Sequence, residues 1–245
     1  MLTAIINGNQ SRPIPGTVGQ CPFCKSEMFP RCGEVRVHHW AHKSKVACDP
    51  WWEPETDWHR NWKNEFPLRW QEQVFTDQDT GEKHIADVRT LAGLILEIQH
   101  SHLDPNERRA REGFYKNMLW VVDGSRLKGD RKKILGWRDA LTEIIQGSER
   151  TNLFLIRDAN ELFPSDWLQS PVPICFDYLG PNAETETAPT QLFLLYPGTV
   201  HGCRLVEPLP RDGLLRAIYS ERVHMPAVRG ILQNVSRLRL SRKRS

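Results

Sequence analysis

The segments His84-Ile85-Ala86-Asp87-Val88 and Leu94-Ile95-Leu96-Glu97-Ile98-Gln99 decide how this chain is read. Both are short runs rich in branched apolar residues, the pattern of strands. Between them Leu91-Ala92-Gly93 supplies a three-residue hairpin loop with glycine at the left-handed position. Centring the hairpin on Ala92 predicts that Asp87 faces Glu97, because each lies five residues from that centre. Directly opposed strand residues hold their Cβ atoms about 5 Å apart, a distance at which like charges repel. A divalent cation held by oxygen ligands removes the repulsion and activates a water at the same point. Gln99 falls on the face of Glu97, while Leu96 and Ile98 point to the core. The alternative is an exposed hairpin carrying two solvated acids.

The flanking segments extend the pattern. Pro54 suits a first helical turn. Trp58, Trp62 and Phe66 recur every four residues as an apolar stripe, with Glu55, His59 and Lys63 as a polar stripe beside it. Arg69 to Phe75 reads as a first strand. After the hairpin, Asp104-Pro105-Asn106-Glu107 is a helix start, with Asp104 as cap and Pro105 at the first position. That helix carries Arg108, Arg111 and Tyr115 on one face. Met118 to Val122 reads as a buried strand ended by Asp123-Gly124. The order is helix, three strands, helix, strand.

This αβββαβ order, with Asp on the second strand and Glu-x-Gln on the third, resembles the PD-(D/E)XK nuclease core. The chain resembles more closely the competence protein CoiA-like family. The residues that carry this likeness are Cys21-x-x-Cys24, His39-Trp40-Ala41-His42-Lys43, Cys48-Asp49, Glu55-x-x-x-His59-x-x-x-Lys63, Ala86-Asp87-Val88 and Glu97-Ile98-Gln99-x-Ser101. Glu107-Arg108, Tyr115 and Trp120-Val121-Val122 also fit. The likeness spans residues 20 to 125 and rests on the joint order of the motifs. It implies a mixed-sheet α/β (α+β) fold and a DNA nuclease in which Asp87 and Glu97 hold Mg²⁺ or Mn²⁺. Glu55 would complete that metal site or bind a second ion, and His59 and Lys63 would contact phosphate or assist proton transfer. Arg108, Arg111 and Tyr115 would line the DNA path. One departure stands out: Gln99 occupies the position where the nuclease superfamily usually has lysine. Glutamine carries no charge and takes up no proton, so it would orient the attacking water and leave activation to the metal. Lys63, His59 or Lys83 would supply the missing charge.

Four of the six cysteines fall in the first fifty residues. In a reducing compartment, clustered Cys and His point to zinc rather than to disulfides. Tetrahedral zinc needs four ligands, and the preferred set is Cys21, Cys24 and Cys48 with either His39 or His42. Cys32, next to Gly33, falls outside the family pattern. The competing reading is a redox Cys-x-x-Cys. Cys175 and Cys203 sit in apolar, strand-like segments and read as core. Six of the nine tryptophans lie between Trp40 and Trp70 and are expected to pack the zinc module onto the first helix, with base stacking as the alternative.

No apolar run approaches a bilayer span, and the N-terminus lacks the basic start of a signal peptide, so a soluble cytoplasmic protein without a membrane partner is expected. The net charge of +3 says less than its distribution. From Arg222 to Ser245 there are seven Lys or Arg and no acid, a tail suited to solvent or phosphate. Lys128 to Lys133 forms a second basic cluster. Arg126 to Gln146 reads as a basic amphipathic helix. Leu153 to Arg157, Val172 to Phe176, Gln191 to Leu195 and Cys203 to Val206 read as strands, and Pro181 to Thr190 as a loop. Arg211 to Val223 and Ala227 to Leu240 read as helices. Whether these strands extend the nuclease sheet or form a separate lobe is open at this level. The expected organisation is a zinc-binding module over 1–53, a nuclease-like core over 54–125 and a mixed α/β extension with a basic tail over 126–245. The expected function is a metal-dependent DNA nuclease with structural zinc, acting with DNA-uptake or recombination proteins. The runner-up is a DNA-binding accessory protein that keeps the fold without cutting.

Overall fold

The computed structural model describes residues 1–34, 37–43, 48–51, 55–126, 128–147, 151–179 and 191–237. Pro54, the expected loop over 181–190 and the end of the basic tail lie outside these residues. The protein is mixed α/β, with two sheets and five α-helices among the described residues. It divides into two compact units, Met1–Leu96 and Glu97–Ser245.

The first unit opens with β1 (Ala4–Ile6), β2 (Asn9–Ser11), β3 (Gly19–Gln20), β4 (Glu27–Arg31) and β5 (His39–His42). They form an antiparallel sheet in the order β2-β1-β3-β4-β5. The β1–β2 turn is Asn7-Gly8, at φ 49° and 79°, the left-handed pair that a two-residue hairpin requires. Trp40, 1% exposed, is the centre of a small core with Met1, Ala4, Cys21 and Met28. Gly19 is needed there, since a Cβ at that position would come 2.7 Å from the Ala4 Cβ and 3.1 Å from the Trp40 ring.

Next come α1 (Asp57–Lys63), β6 (Gln71–Thr76), β7 (Lys83–Arg89) and β8 (Ile95–Gln99). The Thr56 hydroxyl caps α1 by accepting from the His59 amide. The helix is shorter than the stripes imply. It stops at Lys63, so Glu55 precedes it and Phe66, although buried, follows it. Residues 68–70 form a single 3₁₀ turn, so the strand begins at Gln71 rather than Arg69. In the β7–β8 hairpin Val88 pairs with Leu96 and Arg89 with Ile95, which centres the turn on Ala92 as predicted. Gly93 takes φ 81°, and its amide donates to the Thr90 carbonyl at 3.0 Å.

The second unit contains the end of β8, then α2 (Pro105–Tyr115), β9 (Met118–Asp123), α3 (Lys128–Leu135), β10 (Leu141–Gly147) and β11 (Thr151–Ile156). It closes with β12 (Ile174–Asp177), β13 (Leu192–Leu195), β14 (Arg204–Leu209), α4 (Arg211–Tyr219) and α5 (Met225–Arg237). Asp104 caps α2 by accepting from the amides of Asn106 and Glu107, as its sequence predicts. The strands run β10-β11-β14-β13-β12-β9, antiparallel except for β12 beside β9. The β9–β12 pairing, Trp120↔Ile174 to Asp123↔Asp177, settles the place of the C-terminal strands: they build onto β9 instead of forming a lobe of their own. For the same reason the compact units do not divide at residue 125. The long helix expected over 126–146 is replaced by α3 and β10. Gly136 follows the last helical residue, and the β-branched Thr142, Ile144 and Ile145 favour the strand that pairs with β11.

Candidate metal centres and an acid–lysine–histidine cluster

Cys21 and Cys24 flank a tight turn after β3, in which the Lys25 amide donates to the Cys21 carbonyl at 3.1 Å and Lys25 itself takes φ 63°. His42 ends β5, and Cys48 enters from the following segment. The ligand atoms of Cys21, Cys24, His42 and Cys48 all lie within 4.8 Å of one another, with Cys21 Sγ 3.8 Å from Cys48 Sγ and Cys24 Sγ 3.3 Å from His42 Nε2. Of the five candidates, His39 stays outside. It lies three residues from His42 on one strand, hence on the opposite face, and its Nδ1 is 2.9 Å from the Val37 carbonyl. Burial pushes the Cys48 thiol up to about 12 and also raises Cys21, with neighbouring thiols adding to both. Burial acts the same way on Cys24, but hydrogen bonds from Ser26 outweigh it and the thiol is lowered. A divalent cation among these sulfurs would reverse the repulsion between thiolates. Three thiols and one imidazole at this spacing fit tetrahedral, zinc-type coordination.

The second cluster in this unit gathers around α1 and β7. Helical spacing places His59 and Lys63 on one face. His59 Nε2 lies 2.9 Å from Asp87 Oδ1. The Lys63 ammonium, 1% exposed, lies 2.8 Å from Glu55 Oε1, 3.0 Å from Glu72 Oε1 and 3.8 Å from Asp87 Oδ1. Burial would lower the Lys63 pKa, but the carboxylates of Glu72, Glu55 and Asp87 outweigh it and hold it above the usual lysine range. Burial also disfavours charge on His59, and Asp87 outweighs it, so the imidazole is raised. Glu55, His59 and Asp87 each present a ligand atom within 4.8 Å of the other two. Glu55 Oε2 is buried without a hydrogen-bond partner among the described residues. Three carboxylates face the Lys63 ammonium and the His59 imidazole, and the Met1 ammonium also acts on Glu72, so the cluster carries net negative charge while His59 is neutral. Buried charge of that sign calls for a cation.

Glu72 is the residue that sequence reasoning missed. Inside a strand it reads as one more polar residue of Gln71-Glu72-Gln73, yet it is 4% exposed and takes φ 47°. The β6–β7 register passes from Gln71↔Val88 to Gln73↔Ala86 without it. Its carboxylate accepts from the Leu2 and Thr3 amides, each at 2.8 Å, and from the Thr3 hydroxyl. Lys83, another candidate for the missing charge, is not in this cluster. It is exposed, with Nζ 5.4 Å from the Phe23 ring centroid.

In the second unit, Glu97 is 3% exposed and its Oε2 accepts from Arg111 at 2.9 Å. It is therefore not an acid on an exposed hairpin face. Arg111 also binds Glu107, and Arg108 donates to Glu112 at 2.6 Å. Glu112 Oε1 accepts from the Trp120 indole as well, at 3.1 Å. Arg108, Arg111 and Tyr115 are 3–4% exposed. This corrects the expectation that they line a DNA path. Their face of α2 is turned inward, where the guanidiniums are committed to carboxylates. The Gln99 side-chain amide donates to the Ser101 hydroxyl at 2.9 Å, which joins two residues of the quoted motif.

Comparison of the chain with protein-family models, curated proteins and solved structures gave no match. Among the described residues, no helix is long and apolar enough to cross a membrane.

Proposed function

We propose that this protein is a divalent-metal-dependent deoxyribonuclease of PD-(D/E)XK type, with a structural zinc ion held by Cys21, Cys24, His42 and Cys48. The observation that carries the reading is the convergence of Glu55, His59 and Asp87 within 4.8 Å beside a buried Lys63. Glu55, His59 and Asp87 would hold Mg²⁺ or Mn²⁺. A bound ion of this kind supplies Lewis acidity, lowering the pKa of a water and offsetting charge on the attacked phosphate.

The protein's own groups divide the remaining work. Lys63 is locked by carboxylates and keeps its proton, so it serves as a fixed positive charge that orients Glu55 and Asp87. It provides the charge that Gln99 does not. His59, whose Nε2 lies against Asp87, would meet the ion as a neutral imidazole ligand. Glu97 and Gln99 enter this reading through the sequence motif alone, Glu97 as a further carboxylate ligand and Gln99 as a hydrogen-bonding residue for water. The substrate class is DNA, and the family resemblance suggests a cytoplasmic role in DNA uptake or recombination. Assays of the purified protein on single- and double-stranded DNA, with EDTA, Mg²⁺ or Mn²⁺, test the proposal. Cleavage that requires metal supports it. One observation favours a second reading: Gln99 replaces the usual lysine, and its amide is committed to Ser101. Salt-dependent DNA binding without cleavage under any metal would favour the non-cutting accessory protein.

A further inference from the structure

Asp49 directly follows the cluster ligand Cys48, and its carboxylate reaches strand β7. Oδ2 accepts from the Ile85 amide at 2.5 Å, while Oδ1 lies 2.8 Å from His84 Nδ1 and accepts from the Trp51 amide at 3.1 Å. The other His84 nitrogen, Nε2, lies 3.0 Å from Glu82 Oε1. Trp51 stacks on the His84 ring, with centroids 3.2 Å apart and planes 13° from parallel. Asp49 and His84 are 6% and 5% exposed. One buried carboxylate therefore binds three groups, two of them on β7. Ile85 is two residues from Asp87 on the same strand, so the side chains of both point to one face. Fixing the Ile85 backbone fixes the direction from which Asp87 approaches His59 and Glu55.

We infer that Asp49 is a positioning residue that couples the Cys21–Cys24–His42–Cys48 centre to the Glu55–His59–Asp87 cluster. An ion on the cysteines immobilises Cys48 and the residue after it, and Asp49 passes that constraint to β7. The inference rests on the metal-binding reading of both clusters. It assigns the zinc-type centre a second task beyond holding the N-terminal sheet, namely setting the affinity of the acidic cluster for its ion. Groups that hold ligands in place from outside the coordination sphere are worth about 10–100-fold in metal affinity.

The test compares wild type, Asp49→Asn and Asp49→Ala in the full chain. Three quantities are read: zinc content by elemental analysis, Mn²⁺ affinity by titration calorimetry, and hydrogen exchange at the Ile85 amide. The expected result for Asp49→Ala is wild-type zinc content, faster exchange at Ile85 and about tenfold weaker Mn²⁺ binding. Asp49→Asn keeps the size and one acceptor oxygen, and should fall between. If Asp49→Ala does not fold, Asp49→Asn decides by the same readouts. A folded variant with unchanged zinc, unchanged Mn²⁺ affinity and unchanged Ile85 exchange overturns the coupling, as does loss of zinc from the variant with Mn²⁺ affinity intact. A wild-type protein that binds no Mn²⁺ overturns the metal reading itself, and the coupling with it.

Discussion

The ammonium of Lys63 lies 3.0 Å from Oε1 of Glu72, both side chains are almost fully buried, and Glu72 holds the bond from a left-handed backbone conformation. A non-glycine residue at positive φ is uncommon in a strand. Here the carboxylate gains the Leu2 and Thr3 amides, the Thr3 hydroxyl and Lys63 as partners.

That arrangement predicts an acid-sensitive fold. Burial would raise the Glu72 pKa, but Lys63, the Met1 ammonium and the Thr3 and Leu2 hydrogen bonds outweigh it and bring the value from 4.5 to about 2. A carboxyl depressed in the folded state adds stability above its unfolded pKa. That contribution is lost as pH falls from about 4.5 through about 2, and it amounts to roughly 3 kcal/mol. Denaturant unfolding of Glu72→Gln should show a lower stability at pH 7 and a flatter dependence between pH 5 and pH 2. A variant as stable as wild type at pH 7 would contradict this.

Zinc content distinguishes the two histidines. The protein should carry about one zinc per chain, and chelation should lower its melting temperature, because structural zinc contributes folding free energy. Cys24→Ser and His42→Ala should lose the ion, while His39→Ala should retain it. Zinc-free protein from reducing preparation would rule out the centre.

Ion choice at the acidic cluster follows from its imidazole. Imidazole suits transition ions better than Mg²⁺, whose preference is for oxygen. Mn²⁺ should therefore bind more tightly than Mg²⁺, and His59→Ala should narrow the gap. Asp87→Ala should reduce both metal binding and DNA cleavage by more than about 100-fold, exceeding the cost of losing an outer-sphere partner. Undiminished cleavage by this variant would remove Asp87 from the site.

Removal of Glu97 should destabilise the protein. Two solvated acids on a hairpin face would lead one to expect relief of repulsion and a higher melting temperature. The buried Glu97–Arg111 pair reverses that sign, since Glu97→Ala strands part of a buried guanidinium. Arg111 keeps Glu107, so the cost should sit near the low end of the range for breaking a buried pair, about 3 kcal/mol. Urea unfolding measures it, and a stabilised Glu97→Ala would show that the pair contributes nothing.

The sequence by itself determined those features set by bonds within a few residues. Gly93 fixes the hairpin centred on Ala92, because the loop needs one left-handed residue and offers one glycine. Asp104-Pro105 fixes the start of α2, because the cap and the first turn are neighbours. The Cys21-x-x-Cys24 spacing announced a pair of neighbouring thiols for the same reason, while the approach of His42 and Cys48 to that pair depends on the fold. Tertiary structure decided what depends on distant partners. Strand alternation in β5 chose His42 over His39, and the burial of α2 turned Arg108 and Arg111 from surface cations into internal ion pairs. Glu72 was illegible because its partners Leu2 and Thr3 lie 70 and 69 residues away. A buried charge takes its meaning from whatever the fold places within about 3 Å of it, and periodicity along the chain records only which face a side chain occupies.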